Sequence, residues 1–300
     1  LAIKTYLRGL RSFLELVFKI SSTIIWYNTV NMAIIFDGKE YAAKKKILLQ
    51  SSVDKVRSLG IVPHLATLLI GTDPASVLYT NLKKKFLESL GCQVDIYNLI
   101  ENTKLEDIKL LIQTLNDDET VHGVMVQMPL PEAIKNEKLR INNLITESKD
   151  VDGLREDSKY LHPTSKAVME ILALGIFETK QEVLTVCVVG ASGMVGRPLV
   201  KEFKKLGYIV LETDDKTDQK TLQGLTLQSD CIVSATGVMN LITEDMIRDD
   251  TIVIDVGSPH GDVMQEVANK ASFFTPVPGG VGPVTITCLA ENLIIASSAN

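Results

Sequence analysis

Apolar residues in this chain fall into short continuous runs, separated by longer stretches where they recur every three or four positions. Ala33 to Phe36 is the first short run, and Asp37 after it has the chemistry of a helix N-cap. Leu65 to Ile70 reads as a strand ending at Gly71; Pro74 then opens a helix to about Leu90, closed by Gly91. Val94 to Leu99 predicts a strand, Leu105 to Leu115 a helix, and Val121 to Val126 a strand that ends in the polar and proline-rich stretch from Gln127 to Pro131. A helix is expected near Glu137 to Thr146. Beyond it, Ser165 to Leu174 reads as a helix, Leu184 to Val189 as a buried strand, and Val195 to Leu206 as a helix. Tyr208 to Glu212, Cys231 to Ser234, Thr251 to Val256 and Ala271 to Phe274 are further strands, and Thr285 to Ala296 is a last helix. Strands alternating with helices predict βαβ units, a mostly parallel sheet and an α/β fold. The chain is long enough for two domains, and the boundary is expected between Gly153 and Thr164, giving domains at 32–155 and 156–283.

Composition narrows the picture. Apolar residues make up 45% of the 300 residues and charged residues 23%, an ordinary soluble balance. A net charge of -6 argues against nucleic acid as a partner. Cys92, Cys187, Cys231 and Cys288 are scattered without a Cys-x-x-Cys pair, which suits a reducing, cytoplasmic setting better than a disulfide framework. The stretch 1–31 begins at Leu1 and precedes the first methionine, Met32. Its apolar patches are broken by Glu15 and Lys19, so no membrane span is expected there. The expectation is a non-native or disordered extension with no role in the fold.

Several segments carry candidate chemistry. Thr275 to Thr285 packs three prolines and three glycines into eleven residues. It cannot be helix or strand throughout, and glycines held rigid by prolines suit one wall of a small-molecule site. Gly190, Gly193 and Gly196 lie between a predicted strand and a helix, as in a dinucleotide-binding turn, with Ser192 where the usual second glycine stands. N–H groups at that helix start would face a pyrophosphate. Asp215 comes at about the spacing where a carboxylate accepts from ribose hydroxyls and repels a 2′-phosphate. Tyr79 and Lys83 are four apart on one predicted helix and share a face. A lysine whose pKa is lowered by burial serves as acid or base, and a tyrosine stacks on a flat ring. Gln127 ends a strand where open α/β sheets place ligand groups, and Pro129 and Pro131 stiffen the chain beyond it. Asp150 and Asp152 bracket a turn ending at Gly153; the glutamate of a calcium loop is missing, and turn chemistry accounts for Asp150. His64, His122, His162 and His260 have no ligand spacing, so no metal is expected.

Taken together, five ordered motifs between Met32 and Ile295 resemble the bifunctional methylenetetrahydrofolate dehydrogenase/cyclohydrolase family. They are Gly71 to Ser76 with Tyr79 and Lys83; Val126 to Pro131; Lys149 to Gly153; the Gly190 turn; and Thr275 to Pro283. The resemblance implies two α/β domains with a cleft between them, the second a Rossmann-like dinucleotide-binding domain, and a last helix, 284–298, packed back on the first. It implies that Tyr79 stacks on the folate, Lys83 is the acid/base of ring opening, Gln127 holds and tunes Lys83, and Asp152 binds the pterin edge. Met128, Pro129, Pro278, Gly279, Gly282 and Pro283 complete the implied folate contacts, the glycines closing over the substrate. On the cofactor side it implies Gly190, Ala191, Ser192, Gly193, Val195 and Gly196, together with Asp215, Thr236, Gly237, Ser258 and Thr285. A homodimer is the implied assembly.

The chain departs from that pattern at several places. His162 to Ser165 stands where a Pro-Cys-Thr-Pro stretch is common, the link from Gly153 to His162 is short, and Ser258 replaces a common isoleucine. NADP is the implied default, but Ala191 and Asp215 stand where an arginine and a serine would hold the 2′-phosphate, which leans the expectation to NAD. Two alternatives stay open at this point: a dehydrogenase without the hydrolytic step, and a nicotinamide-binding scaffold without turnover.

Overall fold

A computed structural model describes residues 33–298. The expectation for 1–31 falls outside the described residues. In chain order the early elements are β1 (Ile34–Ile35), α1 (Gly38–Ser58), β2 (His64–Ile70), α2 (Pro74–Glu88), β3 (Gln93–Leu99), α3 (Leu105–Asp117), β4 (Gly123–Val126) and α4 (Lys138–Asn142). The later ones are α5 (Pro163–Thr179), β5 (Thr185–Val189), α6 (Gly196–Leu206), β6 (Ile209–Thr213), α7 (Gln219–Thr226), β7 (Cys231–Ser234), β8 (Ile252–Asp255), β9 (Phe273–Phe274) and α8 (Val281–Ser298). The described residues divide into two compact units, 46–163 with 286–298 and 33–45 with 164–285.

The first unit is built on a parallel three-stranded sheet of order β3-β2-β4. Every residue of β2 is buried, as a central parallel strand covered on both faces requires. Leu65 and Met125 meet Leu49, Val53 and Val56 of α1 and Leu289 and Leu293 of α8 on one face. Ala66, Leu68 and Ile70 meet Ile108 and Ile112 of α3 and Ile141 on the other. Local signals set the helix ends. The Asp73 carboxylate accepts the Ser76 N–H at 2.8 Å ahead of Pro74, and Gly91 adopts φ +87° past the end of α2. The Lys149 ammonium donates to the carbonyls of Leu115, Asn116 and Asp118 at 2.7–2.9 Å, capping α3 with a cation where its dipole is negative. That contact anchors the turn that carries Asp150 and Asp152.

The second unit holds a parallel six-stranded sheet of order β1-β9-β8-β7-β5-β6. Strand order reverses at β5, which pairs with β6 on one side and β7 on the other, the switch point of a doubly wound sheet. Cys187, Val189, Ile232, Val253 and Phe274 form one apolar face with Leu222 of α7.

Four features differ from the sequence expectation. Strand β1, assigned to a front domain starting at residue 32, hydrogen-bonds to β9 at the edge of the second sheet. The helix expected over Glu137 to Thr146 is the five-residue α4, flanked by 3₁₀ turns at Glu132–Glu137 and Glu147–Lys149. Helix α7, capped by Asp218 accepting from Thr221 N–H, was not expected. Helix α8 starts at Val281, so Gly282 and Pro283 lie in its first turn rather than in a loop. Proline is tolerated there because first-turn N–H groups have no helical partner. Helix α8 is also long and apolar enough to cross a membrane by length and composition, yet most of it is buried inside the protein.

Candidate active site

In the first unit, helix α2 and the carboxyl end of β4 converge. The Gln127 N–H donates to the Leu68 carbonyl at 2.9 Å, which extends the β4–β2 ladder by one residue and fixes where the Gln127 side chain begins. That side chain is 8% exposed. Its Oε1 accepts from Lys83 Nζ at 3.1 Å, and its Nε2 donates to the Met128 carbonyl at 2.7 Å. The Ser76 hydroxyl also donates to the Met128 carbonyl, tying the start of α2 to the same stretch. The Gln127 amide is therefore held at both ends, with its acceptor oxygen aimed at the amine. Lys83 is half-buried and Tyr79, one turn earlier on α2, is half-buried as well. Burial pushes the Lys83 amine below the usual lysine range, and the Asp152 carboxylate partly offsets this. The Met128–Pro129 peptide bond is cis.

Asp152 is 9% exposed and sits in a turn built for it. The Asp150 carboxylate accepts the N–H groups of Leu154 and Arg155 at 3.2 and 3.1 Å. Gly153 has φ +64°, and a Cβ there would lie 2.6 Å from the Tyr160 carbonyl oxygen and 2.7 Å from the His162 nitrogen. Only glycine lets the short link return this close. The Asn292 amide of α8 donates to the Val151 and Leu161 carbonyls at 2.9 and 3.0 Å, pinning both ends of the link. His162 is buried at that end, and its pKa is lowered by burial and by the Lys83 charge, with Asp152 acting the other way. Lys83, Gln127, Met128 and Asp152 are thus brought together. His162 joins the group unforeseen: read as a departure from a motif, it had no spacing that marked it as a neighbour of the lysine.

In the second unit, Gly190 ends β5 with φ +88°, and a Cβ there would lie 2.6 Å from the Ala235 carbonyl oxygen. A Cβ at Gly196 would overlap the Gly190 carbonyl oxygen, so the start of α6 sits directly on the turn. The Gly190 and Ala191 N–H groups both donate to the Thr213 carbonyl, at 3.0 and 2.8 Å, which locks the turn to the end of β6. The Ser165 hydroxyl donates to the Val195 carbonyl at 3.0 Å. Ala191 is buried, whereas Ser192 and Gly193 are exposed at the mouth of the turn. Asp215 is exposed just beyond β6, while its neighbour Asp214 is occupied by the Lys216 N–H and the Thr217 hydroxyl. Thr236 and Gly237 come after β7, and Ser258, exposed, comes after β8.

The proline- and glycine-rich segment belongs to the same unit up to Thr285. Gly279 has φ +107°, and the Gly280 N–H donates to the Pro276 carbonyl at 2.8 Å. The Gly38 N–H donates to the Gly279 carbonyl at 2.9 Å. A Cβ on Gly38 would overlap the Gly280 carbonyl oxygen, so Gly38 is a supporting residue that the sequence reading missed. The Thr285 hydroxyl is turned into its own helix, donating to the Val281 carbonyl at 3.2 Å. Among the described residues no group of three or more His, Cys, Asp or Glu side chains is placed to hold a metal ion.

These units define a two-unit α/β protein, one unit carrying a buried amine–amide pair at a strand end and the other a dinucleotide-type turn at a sheet switch point. A family model described as the catalytic domain of tetrahydrofolate dehydrogenase/cyclohydrolase matches residues 36–152, and one described as the NAD(P)-binding domain of the same family matches 162–300. The chain is 39% identical over 278 residues to the bifunctional protein FolD of Campylobacter jejuni strain RM1221, covering 87% of this chain and 96% of that one. A crystal structure of the bifunctional FolD enzyme from Campylobacter jejuni is similar with a TM-score of 0.82 at 37% identity, covering 89% and 99% of the two chains. The Trypanosoma brucei enzyme, complexed with NADP cofactor and inhibitor, is similar with a TM-score of 0.82 at 28% identity, covering 89% and 98%. The chain belongs to the tetrahydrofolate dehydrogenase/cyclohydrolase family.

Proposed function

We infer that the chain oxidises 5,10-methylenetetrahydrofolate to the 5,10-methenyl form with a nicotinamide dinucleotide, then hydrolyses the methenyl form to 10-formyltetrahydrofolate. The observation that carries the second step is the Lys83–Gln127 contact, in which a buried amine of lowered pKa is held by an amide that is itself fixed. In this reading Tyr79 stacks on the folate and Asp152 binds the pterin edge. The neutral Lys83 amine takes a proton as water adds to the methenyl carbon. The ring then opens by breaking the carbon–nitrogen bond: the ring nitrogen gains a proton, the added hydroxyl loses one, and one proton is released overall. Hydride transfer demands chiefly the orientation of two flat partners. When bound, the dinucleotide supplies the hydride acceptor. The residues suit it: with no Cβ at Gly190 or Gly196, the strand end, the turn and the start of α6 pack directly on one another, and the start of α6 offers N–H groups at the mouth of the turn. Pro278, Gly279, Gly282 and Pro283 are assigned to the folate side, and Thr236, Gly237, Ser258 and Thr285 to the dinucleotide side.

Separate assays of hydride transfer and of methenyl hydrolysis test this reading; hydrolysis at the uncatalysed rate would reduce it to a dehydrogenase alone. A pH profile tests the amine more closely. The Asp152 charge raises the Lys83 pKa against the effect of burial. In Asp152→Asn the amine therefore loses its proton at lower pH, and the rising limb of the hydrolysis profile moves to lower pH even as the rate falls. A limb that stays in place or moves to higher pH would remove Lys83 from the proton transfer.

For the dinucleotide, the reading is a preference for NAD over NADP. Asp215 stands exposed beyond β6, where it repels a 2′-phosphate, and Ala191 brings no cation to the turn. Asp215→Ser is expected to shift the ratio of kcat/KM for the two dinucleotides towards NADP by about ten-fold. An unchanged ratio, or a wild-type chain that strongly prefers NADP, would overturn the preference. The four cysteines are buried and form no disulfide among the described residues, which fits a reducing, cytoplasmic compartment. The homodimer implied by the family resemblance is checked by light scattering.

A further inference from the structure

The carboxylates of Asp255 and Asp262 lie buried in the second unit beneath the segments that leave β7 and β8. Asp262 Oδ2 accepts from the Ser234 hydroxyl at 2.9 Å, the Thr236 N–H at 2.7 Å and the Thr236 hydroxyl at 2.8 Å. The Thr236 hydroxyl in turn accepts the Val238 N–H at 3.1 Å. The Asp255 carboxylate accepts the N–H groups of Gly257, Asp262 and Val263 at 2.8, 3.1 and 3.0 Å. The Asp255 N–H donates to the Thr275 hydroxyl at 2.7 Å, at the start of the proline- and glycine-rich segment. One network therefore fixes the backbone past the carboxyl ends of three adjacent strands, where open α/β sheets bind ligands.

Two features set this network apart from ordinary loop bonding. First, among the described residues no Lys, Arg or His forms an ion pair with either carboxylate, and buried charge without a cation is costly. Burial, together with the neighbouring Asp262 charge, pushes the Asp255 carboxyl up to about 6 against the pull of its three N–H donors. Second, two glycines make room for the pair. A Cβ at Gly257 would lie 2.6 Å from Asp262 Oδ1, and one at Gly261 would lie 2.7 Å from Asp255 Oδ2. Buried carboxylates kept at such a cost cluster at functional sites.

We propose that Asp262, supported by Asp255, is a positioning residue for the nicotinamide dinucleotide, holding the Thr236–Val238 and Gly257–Ser258 segments in the shape that receives it. The proposal rests on the assignment of Thr236, Gly237 and Ser258 to the dinucleotide side. Asp262 Oδ1 is buried without a hydrogen-bond partner, so an asparagine with its amide nitrogen in that place keeps all three bonds to Oδ2. The test compares Asp262→Ala, Asp262→Asn and wild type in three measurements. These are calorimetric titration with NAD and with NADP, the KM for each dinucleotide, and methenyl hydrolysis with no dinucleotide present. Asp262→Ala is expected to weaken dinucleotide binding and raise its KM by about ten-fold or more, with hydrolysis falling far less, and Asp262→Asn is expected to recover most of the loss. Equal affinity in Asp262→Ala and wild type, or an equal fall in hydrolysis and hydride transfer, would overturn the proposal. Should Asp262→Ala fail to fold, Ser234→Ala removes one donor to the same oxygen and is expected to raise the dinucleotide KM about three-fold; an unchanged KM there overturns the proposal too. A wild-type chain that binds neither dinucleotide would instead refute the assignment on which the proposal rests.

Discussion

Replacing Lys83 with alanine is expected to lower methenyl hydrolysis by about a hundred-fold or more, because a positioned proton-transfer group is worth that much. Hydride transfer is expected to fall much less, since it uses orientation rather than a proton carrier. Three facts about one side chain lead to this expectation. Lys83 donates to a glutamine whose other end is tied to the Met128 carbonyl, its amine pKa is lowered chiefly by burial, and the Asp152 carboxylate limits that fall. A solvated lysine would show none of these. Hydrolysis is read as loss of the methenyl chromophore without dinucleotide, and hydride transfer as reduction of dinucleotide by the methylene substrate. A Lys83→Ala chain that hydrolyses as fast as wild type would leave the lysine without its assigned role.

Gly38→Ala is expected to lower both activities, by roughly a hundred-fold, although residue 38 carries no chemistry. Its N–H donates to the Gly279 carbonyl, and an added Cβ would overlap the Gly280 carbonyl oxygen and lie 2.6 Å from that of Gly279. Backbone cannot swing aside as a flexible side chain does. Either the 279–280 segment shifts, or the first turn of α1, capped by Asp37 accepting from Lys39 and Glu40 N–H groups at 2.9 Å, gives way. An ångström of displacement in a substrate-positioning segment is enough for a loss of that size. Circular dichroism separates this from unfolding: the folded spectrum should persist while both rates fall. Full activity in both assays would show that the 279–280 segment takes no part in either step.

Much of this architecture was legible because its signals are local. Asp73 with Pro74 marks the start of α2, Gly91 marks its end, and Gly190 and Gly196 stand where the backbone has no room for a side chain. The features that were not legible depend on distant partners. Strand β1 is two residues long, and nothing in two isoleucines says that their partner is Phe273–Phe274. The start of α8 was placed late because glycine and proline read as loop, although both are compatible with an unpaired first turn. Among the candidate site residues, Lys83, Gln127 and Asp152 stand out by motif, but His162 enters only because the turn at Gly153 brings the chain back. Asp255 falls inside the predicted strand Thr251 to Val256, and nothing around Asp262 marks it in the sequence; that their carboxylates gather donors past neighbouring strand ends depends on the order of the sheet, which no spacing reveals.

The central claim is that one chain carries out both steps. The direct measurement tracks the wild-type protein with methylenetetrahydrofolate and each dinucleotide in turn, reading reduced dinucleotide, the methenyl form and 10-formyltetrahydrofolate over time. Reduction of dinucleotide is expected to be matched by transient methenyl and then by formyl product formed faster than the uncatalysed hydrolysis. Methenyl that accumulates and decays only at the uncatalysed rate, or no reduction of either dinucleotide, would contradict it.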